Sequence, residues 1–311
     1  AEDDSYVAII GPQSSKNARK VAQLCNKKQN VSKKYDVVAY NYKEPFEIFK
    51  AITSCDILIS GGGSLLQDIT SLKSLIYYLA VIVTALVFNK KVIIFAQGFT
   101  PFRTKLGKIF TKFVLQYCNE IYVRDTRSQE ILKNLNIEST LISDPVFGMS
   151  VPNIGNKSGV GVQLRSFHTL TEKFLEKLAQ EISIRFKDEK IKLFSLQDSL
   201  DVEIIEKFAD ILKKQGIETE IYKNLTVEKA TEELSKLEYL ISMRFHSALV
   251  GAKAKVKVLG INYDIKVLNL AKHIGFPIVG LDENNLEKDF EDLINLNTEN
   301  YNIPNFEFPE L

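Results

Sequence analysis

The sequence is short of everything that marks a redox, metal-dependent or secreted protein. Three cysteines, Cys25, Cys55 and Cys118, are scattered through 311 residues. None stands in a Cys-x-x-Cys pair, so neither a zinc knuckle nor a disulfide framework is expected, and the thiols read as small buried groups of a reducing compartment. Histidine is as scarce, with three residues. None has an acidic partner at His-Glu-x-x-His spacing, so no metal site is expected. A charge surplus is also missing: 40 Lys and Arg stand against 39 Asp and Glu, for a net charge of +1. Nucleic-acid binders carry a clustered basic excess, so a nucleic-acid partner is not expected. Ala1-Glu2-Asp3-Asp4 is acidic where a secretion signal is basic. The longest apolar run, 75–88, is too short for a membrane span and is followed at once by Lys90-Lys91. We expect a cytoplasmic chain, and any membrane contact, at the inner face of the plasma membrane, would be peripheral.

What is present is the ordinary balance of a globular α/β protein, with 45% hydrophobic and 25% charged residues. The length suits two domains of roughly 150 residues each. Short β-branched runs alternate with amphipathic stretches, the pattern of parallel strands joined by crossover helices. Strands are expected at 20–25, 36–40, 57–60, 92–96, 121–124 and 139–142, with helices at 45–53, 72–88, 106–116 and 128–134. The segment 1–17 is ambiguous, because Tyr6-Val7-Ala8-Ile9-Ile10 suits a strand or a buried helical turn. A polar linker at about 147–157, with Pro152 and Gly155, separates a second series. There, strands are expected at 159–164, 191–196, 218–222, 239–243 and 256–261, and helices at 172–186, 202–215 and 227–237. The predicted domains are 1–150 and 151–311, each doubly wound. No internal repeat or low-complexity segment is apparent.

Chemistry is expected where strands end. The strand at 57–60 runs into Gly61-Gly62-Gly63-Ser64, whose N–H groups could cradle an anion beside a helix N-terminus or simply make a tight turn. It is neither a Walker loop nor Gly-x-Gly-x-x-Gly. Gln67 and Asp68 extend it with side chains suited to sugar hydroxyls. Gln97 with Gly98, and Arg124 with Asp125, follow two further strands; the last pair could equally form an ion pair or cap a helix. In the second half Arg165 ends one strand, while Arg244 and His246 end another. In a parallel sheet both ends open on one crevice. Two guanidinium forks can hold a carboxylate and a phosphate, and an imidazole titrates near neutrality and can deliver a proton. The rival is structural: a core histidine, and arginines paired with carboxylates such as Glu238. His168 and His273 lack such company and read as surface residues.

Taken together, these stretches resemble the polysaccharide pyruvyl transferase family, especially its CsaB-type branch. The matching residues are Ile57 to Asp68 (ILISGGGSLLQD), Ala96-Gln97-Gly98, Val123-Arg124-Asp125 with Ser128, and Ser143-Asp144-Pro145. Gly161 to Arg165 (GVQLR), Ser242 to His246 (SMRFH) and Tyr263 to Lys266 (YDIK) follow in order. The likeness runs from about residue 34 to 280. It implies a GT-B-like fold, two Rossmann-like domains facing a cleft. It also implies transfer of a pyruvyl group from phosphoenolpyruvate, a co-substrate rather than a cofactor, onto a sugar as a cyclic ketal. In the CsaB-type branch the acceptor is N-acetylmannosamine in a lipid-linked precursor of a secondary cell-wall polymer, which later anchors surface-layer proteins through SLH domains. On that footing Arg165, Arg244 and His246 are expected to bind the donor, with His246 as general acid. Gly61, Gly62, Gly63, Ser64, Gln67, Asp68, Gln97, Arg124 and Asp125 are expected to line the acceptor side, with Asp68 or Asp125 as base. Family members usually open with a strand and a glycine-rich loop ending in Gly-Asp-Glu-Ala; Asp3 and Asp4 could be its remnants, the loop having either diverged or been truncated. The other reading of the same fold is a glycosyltransferase using a nucleotide-sugar donor.

Overall fold

A computed structural model describes residues 6–11, 36–69, 71–281 and 285–306. The chain divides into two compact units, the first ending at Pro145 and the second beginning at Val146. The strand expected at 20–25, the residues Asp3 and Asp4, and Cys25 lie outside the described residues.

In the first unit, β1 (Tyr6–Gly11) and β2 (Asp36–Asn41) pair in parallel, which resolves the ambiguous opening as a strand. Four further strands form one parallel sheet in running order: β3 (Ile57–Gly61), β4 (Lys91–Gln97), β5 (Glu120–Val123) and β6 (Thr140–Leu141). The helices between them are α1 (Pro45–Thr53), α2 (Leu72–Val87), α3 (Lys105–Leu115) and α4 (Thr126–Lys133). Each of the last three starts at a side-chain cap that satisfies a free N–H of the first turn: Ser71, Thr104 and Asp125. Strand β4 is buried on both faces, and Val92 and Ile94 pack with Leu75, Leu79 and Ile82 of α2. That two-sided burial is why its sequence is a continuous apolar run rather than an alternation.

The second unit is one parallel sheet of six strands, β7 (Val160–Gln163), β8 (Ile191–Phe194), β9 (Thr219–Tyr222), β10 (Tyr239–Ser242), β11 (Lys257–Asn262) and β12 (Ile278–Gly280). Their spatial order is β12-β11-β10-β7-β8-β9. The chain therefore builds outward from β7, returns to lie beside it as β10, and proceeds the other way. The β7–β10 pair is the point of reversal. Helices α5 (Glu172–Arg185), α6 (Asp198–Lys214), α7 (Val227–Ser235), α8 (Phe245–Lys253), α9 (Ile265–Ile274) and α10 (Leu286–Ile294) cover the sheet. Two cores result, one with Val162, Phe174 and Phe208, the other with Leu240, Leu249 and Val258. Tyr301 ties the tail to the sheet: its hydroxyl accepts the Val258 N–H at 3.0 Å and donates to the Val256 carbonyl at 2.9 Å.

Cys55 and Cys118 are free thiols, both half-buried. Burial pushes both above the usual thiol range, Cys118 to about 12. Neither is a ready thiolate, and both are only partly buried where the sequence suggests buried thiols; Cys118 packs against the core of the first unit.

Candidate active site

Arg165 and Arg244 leave neighbouring strands at the same place. Gln163 and Ser242, the last residues of β7 and β10, lie opposite each other, and each arginine comes two residues further on. The two chain segments are tied together there, since the Arg165 N–H donates to the Met243 sulfur at 3.3 Å. Ligands of doubly wound sheets bind outside the carboxyl ends of the strands where strand order reverses, and this pair of arginines stands at that point.

Arg244 is not paired with Glu238. Its Nε donates to Asp201 Oδ2 at 3.0 Å and its Nη2 to Asp201 Oδ1 at 2.5 Å, a two-pronged contact. Nη2 also donates to Gln197 at 3.3 Å. Asp201, in the first turn of α6, is fully buried, and the N–H groups of Leu196 and Gln197 also donate to it, both at 3.0 Å. The buried Gln163 completes the frame, its side-chain oxygen accepting the Arg244 N–H at 2.9 Å. A fork held on one edge by a buried carboxylate is fixed in orientation, and its Nη1 edge takes no part in these bonds. Arg165 differs. Its Nε is buried and has no hydrogen-bond partner, and a buried guanidinium N–H left unpaired is costly unless something accepts from it.

His246 is exposed, the second residue of α8, whose N-cap is Arg244. The free N–H groups of that first turn add partial positive charge at the same sheet edge. The turn leading into α8 is held by Ser242 and Ser247: one hydroxyl donates to the other across 2.6 Å, and the second donates to the Arg244 carbonyl, which lies 3.0–3.1 Å from both. His168 and His273 are exposed too. Among the described residues no group of three or more His, Cys, Asp or Glu side chains could hold a metal ion.

In the first unit the loops after β3, β4, β5 and β6 meet at one edge. The Gly62 N–H donates to the Phe95 carbonyl at 2.9 Å, and the Gly98 N–H to the Gly63 carbonyl at 2.8 Å. Gly62 and Gly63 both adopt left-handed backbone, with φ of 48° and 77°, and a side chain at either would be strained. No atom comes within 4 Å of where a Cβ would stand on Gly61, Gly62 or Gly63, so the loop faces open space. Arg124 Nη1 donates to Asp144 at 3.0 Å, and its Nη2 reaches Ser64 Oγ at 3.4 Å. Ala96, with φ of 51°, sits where β4 slips register against β5, between Ile94 and Gln97. A left-handed alanine costs about 1–2 kcal/mol, and the bulge it makes brings Gly98 over Arg124.

Three residues expected at the acceptor side have structural partners. Gln97 is fully buried, and its side-chain Nε2 donates to the Ser60 carbonyl at 3.1 Å and to the Ser60 hydroxyl at 2.9 Å. Asp68 is buried, and it accepts the Arg103 N–H, the Thr104 N–H and the Thr104 hydroxyl at 2.6–2.7 Å. Burial alone would raise the Asp68 carboxyl, but these hydrogen bonds hold it below the ordinary carboxylate range. Asp125 caps α4, accepting the Ser128 N–H at 2.7 Å and its hydroxyl at 2.8 Å. Gly61, Gly62, Gly63, Ser64, Gln67 and Arg124 remain at the loop surface, fully or partly exposed. Asp201 was not anticipated from the sequence. The only cue was an aspartate in the first turn of a helix opening beside a strand end.

The fold is of the GT-B type, with two Rossmann-like units. UDP-GlcNAc 2-epimerase from Methanocaldococcus jannaschii superposes with a TM-score of 0.62 at 11% identity, over 96% of this chain and 95% of that one. The enzyme from Neisseria meningitidis bound to UDP-GlcNAc gives 0.57 at 11%, over 93% and 91%. MnaA from S. aureus with UDP gives 0.56 at 7%, over 96% and 89%. At such identities the likeness is one of fold. No curated protein matches the chain in sequence. The model of the polysaccharide pyruvyl transferase family matches residues 6–265, and the chain belongs to that family.

Proposed function

We propose that the protein transfers a pyruvyl group from phosphoenolpyruvate to a sugar, forming a cyclic ketal. The supporting observation is the pair of arginines at the strand reversal of the second unit, one clamped by Asp201 and the other with a buried, unpartnered Nε. A small substrate carrying a carboxylate and a phosphate would supply the acceptors that such donors lack. In this reading Arg165 and Arg244 hold the donor, and His246 protonates its methylene carbon. One sugar hydroxyl adds to the resulting cationic C2. Phosphate leaves, and a second hydroxyl closes the ring. The glycine loop 61–64 and Arg124 of the first unit serve the acceptor. The resemblance of the motifs points to N-acetylmannosamine of a lipid-linked secondary cell-wall polymer precursor.

The fold is equally compatible with nucleotide-sugar chemistry, since two of the similar structures hold UDP-GlcNAc or UDP. Product analysis separates the readings. Purified protein with phosphoenolpyruvate and an N-acetylmannosamine-containing acceptor should release inorganic phosphate and add a pyruvyl mass to the sugar. Release of UDP from a nucleotide sugar, with phosphoenolpyruvate untouched, would overturn the proposal.

A further inference from the structure

Charge balances over the whole chain, with 40 basic against 39 acidic residues, but not within one stretch of the first unit. Between Asp68 and Glu120 there are seven Lys or Arg residues and not one Asp or Glu. That stretch contains α2 and α3, which pack against each other. Strands β3, β4 and β5 follow one another across the sheet, so right-handed crossovers put both helices on the same face. Their outer sides therefore form one surface.

That surface is apolar. On α2 the exposed positions Ile76, Ala80, Val83 and Val87 recur at helical spacing. On α3, Leu106, Ile109, Phe110 and Phe113 are all exposed, and Tyr117 continues the row just past the helix end. Isolated exposed apolar side chains are ordinary, but rows of them on two adjacent helices mark an interaction surface. Lys105, Lys108 and Lys112 run along the flank of the α3 row, between it and the side facing the core. None of the three is in an ion pair among the described residues. Apolar and aromatic side chains on one face, with lysines beside them, are the pattern of a helix lying in a membrane interface. No described helix is long and apolar enough to cross a membrane.

We infer that the outer face of α2 and α3 docks on the surface of an anionic lipid bilayer, with Phe110 and Phe113 entering the headgroup region and the three lysines meeting lipid phosphates. A second copy of the chain fits less well. A two-fold contact would set these lysines against their own copies with no carboxylate within the segment to offset them. The inference extends the proposed function, because an acceptor carried on a lipid would be met at that surface.

Sedimentation of the full chain with vesicles tests it in the absence of any substrate. Wild-type protein should bind equimolar phosphatidylglycerol–phosphatidylcholine vesicles, bind phosphatidylcholine alone far less, and lose binding as salt is raised. Replacing Lys105, Lys108 and Lys112 together by Glu should weaken binding by at least about 100-fold, since each lysine near an anionic leaflet strengthens it by roughly fivefold. A Phe110→Ser/Phe113→Ser variant should also lose it, while its unfolding temperature and its turnover of phosphoenolpyruvate with a water-soluble acceptor stay unchanged. Wild-type protein that ignores anionic vesicles, or a triple-Glu variant that binds as before, would overturn the inference. So would a wild-type dimer that the serine variant converts to monomer. Because binding is read without turnover, failure here leaves the pyruvyl-transfer reading to its own assay.

Discussion

The two units hold an arginine at the edge of a parallel sheet in contrasting ways. In the second, Arg244 meets a carboxylate with no exposure at all, and that carboxylate also receives two backbone N–H groups. In the first, Arg124 meets Asp144, which keeps 15% of its side chain exposed, beside a glycine loop facing open space. The sheets differ as well: six strands with a reversal at their centre, against four in running order. A reversal creates a crevice, and a buried counter-ion fixes a cation within it. A running sheet crowned by glycines offers a surface that can adapt. The contrast fits the proposed reading, in which the second unit takes a small anionic donor and the first a larger acceptor.

Substitutions can break that contrast, most severely in the second unit. His246→Ala should lower kcat by roughly 10²–10⁴-fold, the usual contribution of a general acid, with little change in KM for phosphoenolpyruvate. A variant turning over at the wild-type rate would remove the acid role. Next in size is the loss of the buried partner. Asp201→Asn should cost about 3 kcal/mol of stability in urea titrations, the lower end for breaking a buried pair, because Arg244 keeps some exposure. Asp144→Asn should cost no more than about 1 kcal/mol, and equal losses at the two sites would erase the distinction drawn here. Asp68→Asn should cost about 1–3 kcal/mol at neutral pH through its charged hydrogen bonds. Its folded-state carboxyl is held below the ordinary value, so the wild-type advantage is complete above about pH 4 and fades as pH falls further. Denaturation curves for wild type and variant should therefore converge in acid. The smallest effect is expected at Gly98→Ala, whose Cβ would stand 3.0 Å from both Arg124 Nε and Ser64 Oγ. Displacing the arginine should raise KM for the acceptor a few-fold and leave KM for phosphoenolpyruvate alone.

Much of this architecture is legible in the sequence. Hydrophobic periodicity places α1 and α2 within a residue of their true limits, and the β-branched runs locate every strand from β2 to β11. One strand and three helices at the end of the chain escape, α9 and α10 among them although each has an apolar and a polar face. Strand β12 has three residues, and α8 buries Ser247 through Ala252 without a break, so no polar face reveals it. The glycine loop and the two arginines stand out because strand ends can be read locally. Their partners cannot be read that way. Asp201 lies 43 residues before Arg244, and Asp68 lies 36 before Thr104. Side chains suited to sugar hydroxyls serve equally to bind a neighbouring loop, and only the folded chain decides between these uses.

The shared carboxylate of Asp201 has one more consequence. It couples Arg244 mechanically to the turn after β8, since the same oxygen accepts from Arg244 and from the amides of Leu196 and Gln197. An anion that pulls on the guanidinium therefore pulls on those two amides. Their hydrogen-exchange rates report, without a label, whether an anion is bound at Arg244.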